Sequence, residues 1–456
     1  MRLKTVLSIV ESHHKGVVAP TETVRRCYEH IRALGDPGIF ITLRDQDEAV
    51  AEAQELTNDG GFYGVPVVVK DNIDVAGMPT TAACPAFAYQ AEDDAEVVMR
   101  LKRAGAIVIG KTNLDQFATG LVGVRTPYPA PRNPLRRDLI PGGSSAGSAV
   151  AVATGIVPFA LGTDTAGSGR VPAMLNNIVG LKPSLGLLST RGVVPACRTL
   201  DCVSVFALNV DDAWKGLCAI AGYDPNDPYS RERALGVLGS APTRARLGVP
   251  LMSQRQFFGD ERAAADYNAA LSSLKRIGFL LAEVDMEPFT ETAQLLYDGP
   301  WLAERYLAVR KILDEYPSVL HPVTRAIIAP GANLKASDSF AAFYRLARLR
   351  RAADNIFKHI DALVLPTAPT VYTCGQVLAD PIRLNSRLGT YTNFVNLLDL
   401  CAAAVPAALH GDGTPFGITF IAPGGQDALA ASLAKTFHAV TGVAPGVQAK
   451  LEALAR

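Results

Sequence analysis

The stretch Pro141-Gly-Gly-Ser-Ser-Ala-Gly-Ser148, followed by Gly162-Thr-Asp-Thr-Ala-Gly-Ser-Gly-Arg170, is the most informative part of this sequence. Small residues at this density let backbone N–H groups approach a ligand closely. Around these two segments, apolar strand-like runs alternate with helical periodicity, and the first run ends at Lys70. This alternation predicts an α/β fold with a central mixed β-sheet flanked by helices on both faces.

Outward from these segments, the same alternation of predicted strands and helices extends over the chain. Apolar spacing predicts helices at about 21–34, 95–104, 261–276, 291–315 and 337–359. Buried strands are predicted at about 64–70, 106–109, 246–249, 279–284, 362–365 and 418–421, with one helix after the last of them. No internal repeat or low-complexity linker interrupts the sequence, which favours a single domain over residues 1–456.

Composition excludes several classes of protein. The 456 residues include 44 Lys+Arg and 44 Asp+Glu, so the chain lacks the basic excess of nucleic-acid binders and of polybasic membrane-surface proteins. The 7 cysteines are scattered without a CxxC pair, so neither a disulfide framework nor a metal cluster is expected. The N-terminal apolar run is too short for a signal peptide, and no stretch is long enough to span a membrane. We therefore expect a reduced, cytoplasmic protein.

Known glycine-rich motifs fit these segments poorly. A phosphate-binding loop requires Lys after its last glycine, where this chain has Ser168, and no GxGxxG follows a predicted strand. Gly143-Ser-Ser-Ala-Gly147 matches the GxSxG elbow of α/β-hydrolases with Ser145 at its centre, but no central strand precedes it. The histidines downstream, at 321, 359, 410 and 438, lie in no recognisable motif. A serine nucleophile in this chain therefore needs a base other than histidine.

Lys70 is the natural candidate for that base. It ends an apolar strand, and burial there favours the neutral amine over the ammonium. Lys111, near the end of the next strand, is a weaker second candidate. Ser145 and Ser148 are expected to make loop hydrogen bonds or to begin a helix.

Lys70, Gly142–Gly147 and Gly162–Ser168, in this order, resemble the amidase signature family. The resemblance is strong from about 64 to 206 and more diffuse over the rest of the chain. It implies a Ser–cis-Ser–Lys triad, with Ser168 as nucleophile, Ser144 as the cis-serine and Lys70 as base. It also implies an oxyanion hole of backbone N–H groups, and it implies neither a cofactor nor a metal. The candidate oxyanion donors are Thr165, Ala166, Gly167 and also Ser168. Asp164 and Arg170 flank the nucleophile and are expected to brace its loop as an ion pair.

Other segments are similar to the family members that hydrolyse allophanate, a small ureido carboxylate. These are Ala166–Arg170, Asn176–Ser184, Gly192–Phe206 and Leu296–Tyr306. The resemblance implies that Tyr297 and Arg305 bind substrate, since a guanidinium holds a carboxylate through two parallel hydrogen bonds. Their spacing of eight residues would place both on one side of a helix. Gly120 is expected to line the pocket through its backbone.

The resemblance further implies ammonia release in urea degradation, a functional link to urea carboxylase and a homodimer. The substrate pocket is expected in the helical region at about 290–360, and the second C-terminal domain of longer relatives is expected to be absent. Three alternatives stay open. The chain could cleave another small amide such as biuret, malonamate or an aryl amide. It could be an A-type component of an amidotransferase that acts with partners. It could also be a small-ligand or partner-binding protein on an inactive amidase scaffold.

Overall fold

The structure is a computed structural model that describes residues 3–57 and 60–454. Its α-helices are α1 Val6–His14, α2 Pro20–Leu34, α3 Gln46–Glu55, α4 Glu96–Arg103, α5 Ala146–Ala153, α6 Val171–Leu175, α7 Val210–Ile220, α8 Glu261–Ile277, α9 Glu287–Asp298, α10 Trp301–Glu315, α11 Pro322–Ile328, α12 Ala336–Phe357, α13 Cys374–Ala379, α14 Arg383–Leu388, α15 Asp427–Thr441 and α16 Gln448–Leu454. Short 3₁₀ turns occupy Pro85–Phe87, Gln116–Ala118, Met252–Gln254, Pro317–Val319 and Ala329–Asn333.

The strands are β1 Phe40–Leu43, β2 Pro66–Lys70, β3 Pro79–Thr80, β4 Tyr89–Gln90, β5 Ile107–Thr112, β6 Phe159–Thr163, β7 Val179–Lys182, β8 Val203–Ala207, β9 Arg246–Pro250, β10 Leu280–Val284, β11 Ala362–Pro366, β12 Leu400–Leu409 and β13 Pro415–Pro423. Eleven of them form one mixed sheet in the order β1-β5-β2-β6-β8-β7-β12-β13-β11-β9-β10. β5, β2 and β6 run parallel, and so do β11, β9 and β10, whereas the strands between these groups pair antiparallel. The mixed sheet with helices on both faces confirms the predicted fold class.

Strand β2 shows why its sequence is apolar at every position before Lys70. Val67 and Val69 pack into the core on one face of the sheet, and Val68 packs into the core on the other. A strand covered on both faces has no solvent side, so it lacks the alternation of a half-exposed strand. β5 and β6 flank β2, which places Lys70 within a fully covered part of the sheet.

The predicted helix at about 291–315 is wrong as one element. α9 ends at Asp298 and α10 begins at Trp301, with Gly299 in an extended conformation between them. Pro300 causes the break, because proline lacks an amide hydrogen and disfavours helical geometry in the residue before it.

Several strands escaped the sequence analysis. β6, β7 and β8 lie among the loops of residues 110–205, and β12 contains the alanine-rich run Cys401-Ala-Ala-Ala-Val405. Alanine has low intrinsic strand preference, so β12 depends on pairing with β7 on one side and β13 on the other. Two helices, α15 and α16, follow the last strand where one was predicted.

Among residues 3–57 and 60–454, no helix is both long and apolar enough to cross a membrane. The same part of the chain holds no group of three metal-ligating side chains. All seven cysteines are free thiols. The expectation of one domain over residues 1–456, with its core at 64–206 and its pocket region at 290–360, stays a prediction.

Candidate active site

Lys70 lies at the carboxyl end of β2 with its side chain fully buried. Its Nζ donates to Ser144 Oγ at 2.7 Å and to Thr163 Oγ1 at 2.7 Å. Thr163 ends the neighbouring parallel strand β6, and its hydroxyl also accepts from Asn72 Nδ2 at 3.3 Å. The lysine therefore has a fixed direction, with its amine against the Ser144 hydroxyl.

Burial sets the protonation of this lysine. It lowers the pKa of Lys70 from 10.5 to about 7, against the opposing effect of the carboxylates of Asp115, Asp164 and Asp201. Removing an ammonium from water disfavours its charged form, which explains the direction. A large fraction of Lys70 is therefore neutral near pH 7 and able to accept a proton.

Ser144 follows a cis peptide bond to Gly143 in the loop before α5. There is no room for a side chain at Gly143, because a Cβ there would lie 2.1 Å from Asp115 Oδ2 and 2.5 Å from the Gly123 nitrogen. The Ser144 carbonyl accepts from the Asp115 amide at 3.1 Å. The serine is thus held against the turn formed by residues 115–123.

The two nearby serines, Ser145 at the end of this loop and Ser148 within α5, have structural contacts. Ser145 precedes the first residue of α5, and its Oγ donates to the Thr163 carbonyl at 3.1 Å. Ser148 Oγ donates to the Leu161 carbonyl at 2.9 Å. Both tie the loop to strand β6.

The Ser168 loop, residues 164–170 between β6 and α6, is organised by one carboxylate. Asp164 accepts from the Gly167 amide at 2.7 Å and from the Gly169 amide at 3.0 Å. Arg170 contacts both carboxylate oxygens, at 2.8 and 2.9 Å. Burial by itself would raise the pKa of Asp164, but the Arg170 guanidinium and the hydrogen bonds hold that pKa below its ordinary value. The ionised carboxylate therefore braces the whole loop.

The backbone N–H groups of this loop are not equivalent. The Gly167 amide is already committed to Asp164. Within the described residues, the amides of Thr165, Ala166 and Ser168 have no acceptor. The Thr165 hydroxyl donates to Asp201 Oδ1 at 2.6 Å, which fixes that residue. In this state the amides free to face an oxyanion are those of Thr165, Ala166 and Ser168.

Ser168 is buried, and its Oγ donates to the Gly120 carbonyl at 3.5 Å. That carbonyl belongs to the 115–123 turn that also holds Ser144. Asp115 shapes the turn by accepting from the amides of Val122 at 3.1 Å and Gly123 at 2.9 Å. This hydrogen bond is long, so the turn holds the Ser168 hydroxyl only weakly.

Tyr297 and Arg305 do not share a helix, since Tyr297 lies on α9 and Arg305 on α10. They nevertheless meet, because the Arg305 guanidinium lies 5.6 Å from the centre of the Tyr297 ring. Arg305 is buried, and its Nη1 donates to Thr119 Oγ1 at 3.3 Å. Its Nε has no hydrogen-bond partner among the described residues. The pair therefore meets across the break between α9 and α10 at Gly299-Pro300, and not through the predicted spacing along one helix.

Lys111 has other partners than the serines. Its Nζ donates to Thr80 Oγ1 at 2.9 Å and lies 3.5 Å from Asp71 Oδ1. This buried ion pair accounts for the lysine without a role as a base. Of the histidines considered, His410 contacts Asp266 and His321 accepts from the Val323 amide at the start of α11.

Three supporting residues were missed by sequence reasoning. Thr163 holds Lys70, Asp201 holds Thr165, and Thr392 Oγ1 donates to the Ala166 carbonyl at 2.7 Å. Thr163 had a usable signal, because polar residues at the carboxyl ends of adjacent parallel strands meet at one edge of the sheet. Thr392 had none, since it reaches the site from 226 residues away in sequence.

Comparison with known proteins shows which family the chain belongs to. The sequence profile of the family described as Amidase matches residues 22–430. The urea amidolyase of Saccharomyces cerevisiae is 48% identical over 363 residues, which are 79% of this chain and 20% of that protein. The chain thus spans one-fifth of the length of this relative.

Two further relatives match over more of their own length. The A component of the glutamyl-tRNA(Gln) amidotransferase of Symbiobacterium thermophilum is 34% identical over 447 residues, 89% of this chain and 90% of that protein. The solved structure of Kluyveromyces lactis allophanate hydrolase superposes with a TM-score of 0.91 at 42% identity, covering 96% of this chain and 73% of that one.

Proposed function

We propose that this chain, which belongs to the amidase family, hydrolyses the terminal amide of allophanate and releases ammonia. The observation that carries the chemistry is the buried Lys70 amine, 2.7 Å from Ser144 Oγ and with a pKa lowered by burial to about 7. A neutral buried amine beside a serine hydroxyl supplies a base for nucleophilic attack without histidine.

In the proposed reaction, Ser168 Oγ attacks the carbonyl carbon that bears the terminal NH₂. Its proton passes to the Ser144 hydroxyl, which gives its own proton to Lys70. Amide N–H groups of the 164–170 loop stabilise the oxyanion, and each such donor is typically worth about 3 kcal/mol of the barrier. Lys70 returns the proton through Ser144 to the leaving nitrogen, and ammonia departs. Water then cleaves the acyl-enzyme by the same route, which leaves N-carboxycarbamate.

The substrate's carboxylate is assigned to Arg305. The guanidinium is buried, has an unused Nε, and bonds to the turn whose Gly120 carbonyl contacts Ser168. Guanidinium groups bind carboxylates through two parallel hydrogen bonds, so this position orients a short carboxylate-bearing amide toward the nucleophile. The Tyr297 ring, whose centre lies 5.6 Å from the guanidinium, further limits its position.

The names of the relatives support this substrate. A Kluyveromyces lactis allophanate hydrolase shares the fold of this chain at 42% identity. The Saccharomyces cerevisiae relative is a urea amidolyase, which supports a functional link to urea carboxylation. A homodimer and a cytoplasmic location complete the proposal.

Ammonia release by the purified chain tests the proposal, with allophanate, biuret and malonamate as substrates. We expect allophanate to be preferred and Ser168→Ala to lower kcat by about 10⁴-fold or more, since the nucleophile is lost. Ser272→Ala, an exposed helix position whose Oγ donates to the Asn268 carbonyl, is the matched control. Unchanged ammonia release by Ser168→Ala would contradict the mechanism, and a preference for biuret would contradict the substrate.

A second function is favoured by a separate observation. The amidotransferase relative of Symbiobacterium thermophilum matches over 90% of its own length. A chain that acts in this way would release ammonia from glutamine and require partner proteins. Ammonia release from glutamine, added to the assay above as a fourth substrate, with none from allophanate, would favour this function.

A further inference from the structure

A second buried guanidinium, that of Arg125, lies against the same turn as Arg305. Its Nη1 donates to the Thr119 carbonyl at 3.0 Å, and its Nη2 donates to the Pro381 carbonyl at 2.6 Å. Its backbone amide donates to Asp115 Oδ1 at 2.9 Å. The arginine is therefore fixed at both ends, with its charge inside the protein.

The two guanidiniums converge on one residue. Arg305 donates to the Thr119 hydroxyl and Arg125 donates to the Thr119 carbonyl. The next residue, Gly120, presents its carbonyl to Ser168, and a Cβ on Gly120 would lie 3.2 Å from Arg125 Nη1. Arg125 therefore reaches the nucleophile through a short path of contacts, from Thr119 to Gly120 to Ser168.

Neither cation is neutralised by direct contact. Among the described side chains, no carboxylate lies within ion-pair distance of Arg125 or Arg305, and the carboxylates of Asp115, for Arg125, and of Asp201 and Glu304, for Arg305, act only at longer range. The Nε atoms of both are buried without a hydrogen-bond acceptor. Buried charges are ordinarily paired, because leaving water costs several kcal/mol per ion. Two guanidiniums without a carboxylate in contact, both bonded to Thr119 near Ser168, therefore favour the binding of an anion close to them.

We propose that Arg125 is a positioning residue that makes this pocket selective for amides bearing a carboxylate. Its two hydrogen bonds hold the Thr119–Gly120 turn against Ser168, and its charge adds to that of Arg305. The inference rests on the proposed function. Attack on allophanate gives a tetrahedral intermediate with two negative charges, the carboxylate and the oxyanion, so a second fixed cation near the site suits this substrate.

Malonamate and malonamide test this role, because they share a shape and differ in one charge. Binding is measured by calorimetry in the Ser168→Ala chain, which holds substrate without turnover. We expect malonamate to bind more tightly than malonamide. With Arg125→Gln added, malonamate should bind about 10-fold more weakly while malonamide changes by less than about 2-fold, since the guanidinium charge that is lost attracts only the charged ligand.

Two further variants separate charge from folding. Arg125→Lys keeps the charge and should keep the preference for malonamate, although its single ammonium cannot bridge both carbonyls. Arg255→Gln is the matched control, since this mostly buried guanidinium bonds to the Pro250 carbonyl at 3.2 Å on another part of the fold. Should Arg125→Gln fail to fold, Arg125→Lys decides the matter.

Equal weakening of both ligands by the Arg125 variants would assign the residue a merely structural role and overturn the inference. So would a Ser168→Ala chain that shows no preference for malonamate. Ammonia release from allophanate by the unaltered chain is read separately. A chain that cleaves no allophanate but loses its malonamate preference on Arg125→Gln overturns only the proposed function.

Discussion

At the scale of single residues, the chemistry depends on how the fold treats Lys70. An exposed lysine is an ammonium at neutral pH and cannot act as a base. Here the side chain is fully buried on strand β2, which lies between β5 and β6, and its partners Ser144 and Thr163 are neutral hydroxyls. The nearby carboxylates are Asp115, Asp164 and Asp201, which moderate the pKa shift without a direct contact. Desolvation therefore dominates, and the amine is available near pH 7.

This shift predicts the pH dependence of the reaction. The folded pKa of Lys70 is lowered to about 7, so the base form is present above that pH and is lost as the pH falls through it. We expect kcat/KM for malonamate to rise with pH through about 7 and to level off above it. Initial rates of ammonia release across the pH range measure this limb. Arg255→Gln, which removes a guanidinium away from the site, should show the same pH profile as the unaltered chain. A midpoint near that of a solvated lysine, about 10.4, would show that Lys70 is not the base.

At the scale of elements, loops set the site and strands hold the loops. The 115–123 turn follows β5, the Ser168 loop follows β6, and the Ser144 loop is tied to β6 through Ser145. At several glycines, these loops lie so close to one another that there is no room for a side chain. The 389–400 segment adds a further support, since Thr392 and Asn396 bond to carbonyls of Ala166 and Asp164 at 2.7 Å each.

A glycine substitution tests this crowding. Gly143→Ala places a Cβ 2.1 Å from Asp115 Oδ2, so the turn or the Ser144 loop must shift. We expect kcat/KM to fall by about 100-fold, because misplacing a catalytic group by roughly 1 Å has that effect. Gly375→Ala is the control, as nothing lies within 4 Å of its Cβ. Steady-state kinetics and circular dichroism of both variants measure the outcome. Full activity in Gly143→Ala would contradict the packing described here.

At the scale of the whole molecule, one sheet of 11 strands joins the two halves of the chain. Strands from residues 40–207 form one side and strands from 246–423 form the other, with β7 and β12 pairing across the junction. The Ser168 loop lies in the first half, whereas Arg305 and Thr392 belong to the second. The site therefore depends on the two halves of the chain folding together.

The sheet core should control stability. Phe206 on β8 is 0% exposed, and its ring would lie 2.6 Å from a Cβ on Gly162 of β6. We expect Phe206→Ala to lower the free energy of unfolding by about 3–5 kcal/mol, through lost burial and the cavity left behind. Phe340→Ala, at a position 59% exposed, should change it by less than about 0.5 kcal/mol. Denaturant unfolding measures both, and equal effects would contradict this assignment of the core.

Local patterns in the sequence were enough to predict the α/β class, the doubly covered strand that ends at Lys70 and the glycine-serine segments around Ser144 and Ser168. The apolar runs indicate the strands, and the small residues indicate tight loops, which leave no room for larger side chains. Other features arise from the three-dimensional fold alone: the helix break at Pro300, across which the expected pair Tyr297 and Arg305 meets, and the approach of Arg125 to the site.

Strand β12 belongs to this second group, since its alanines prefer no strand until β7 and β13 pair with it. The hydrogen bond from the Gly167 amide to Asp164 also belongs to this group, because it forms only when the loop is folded. The cause is the same in each case: a contact between distant residues depends on chain reversals and pairing partners that no local pattern encodes.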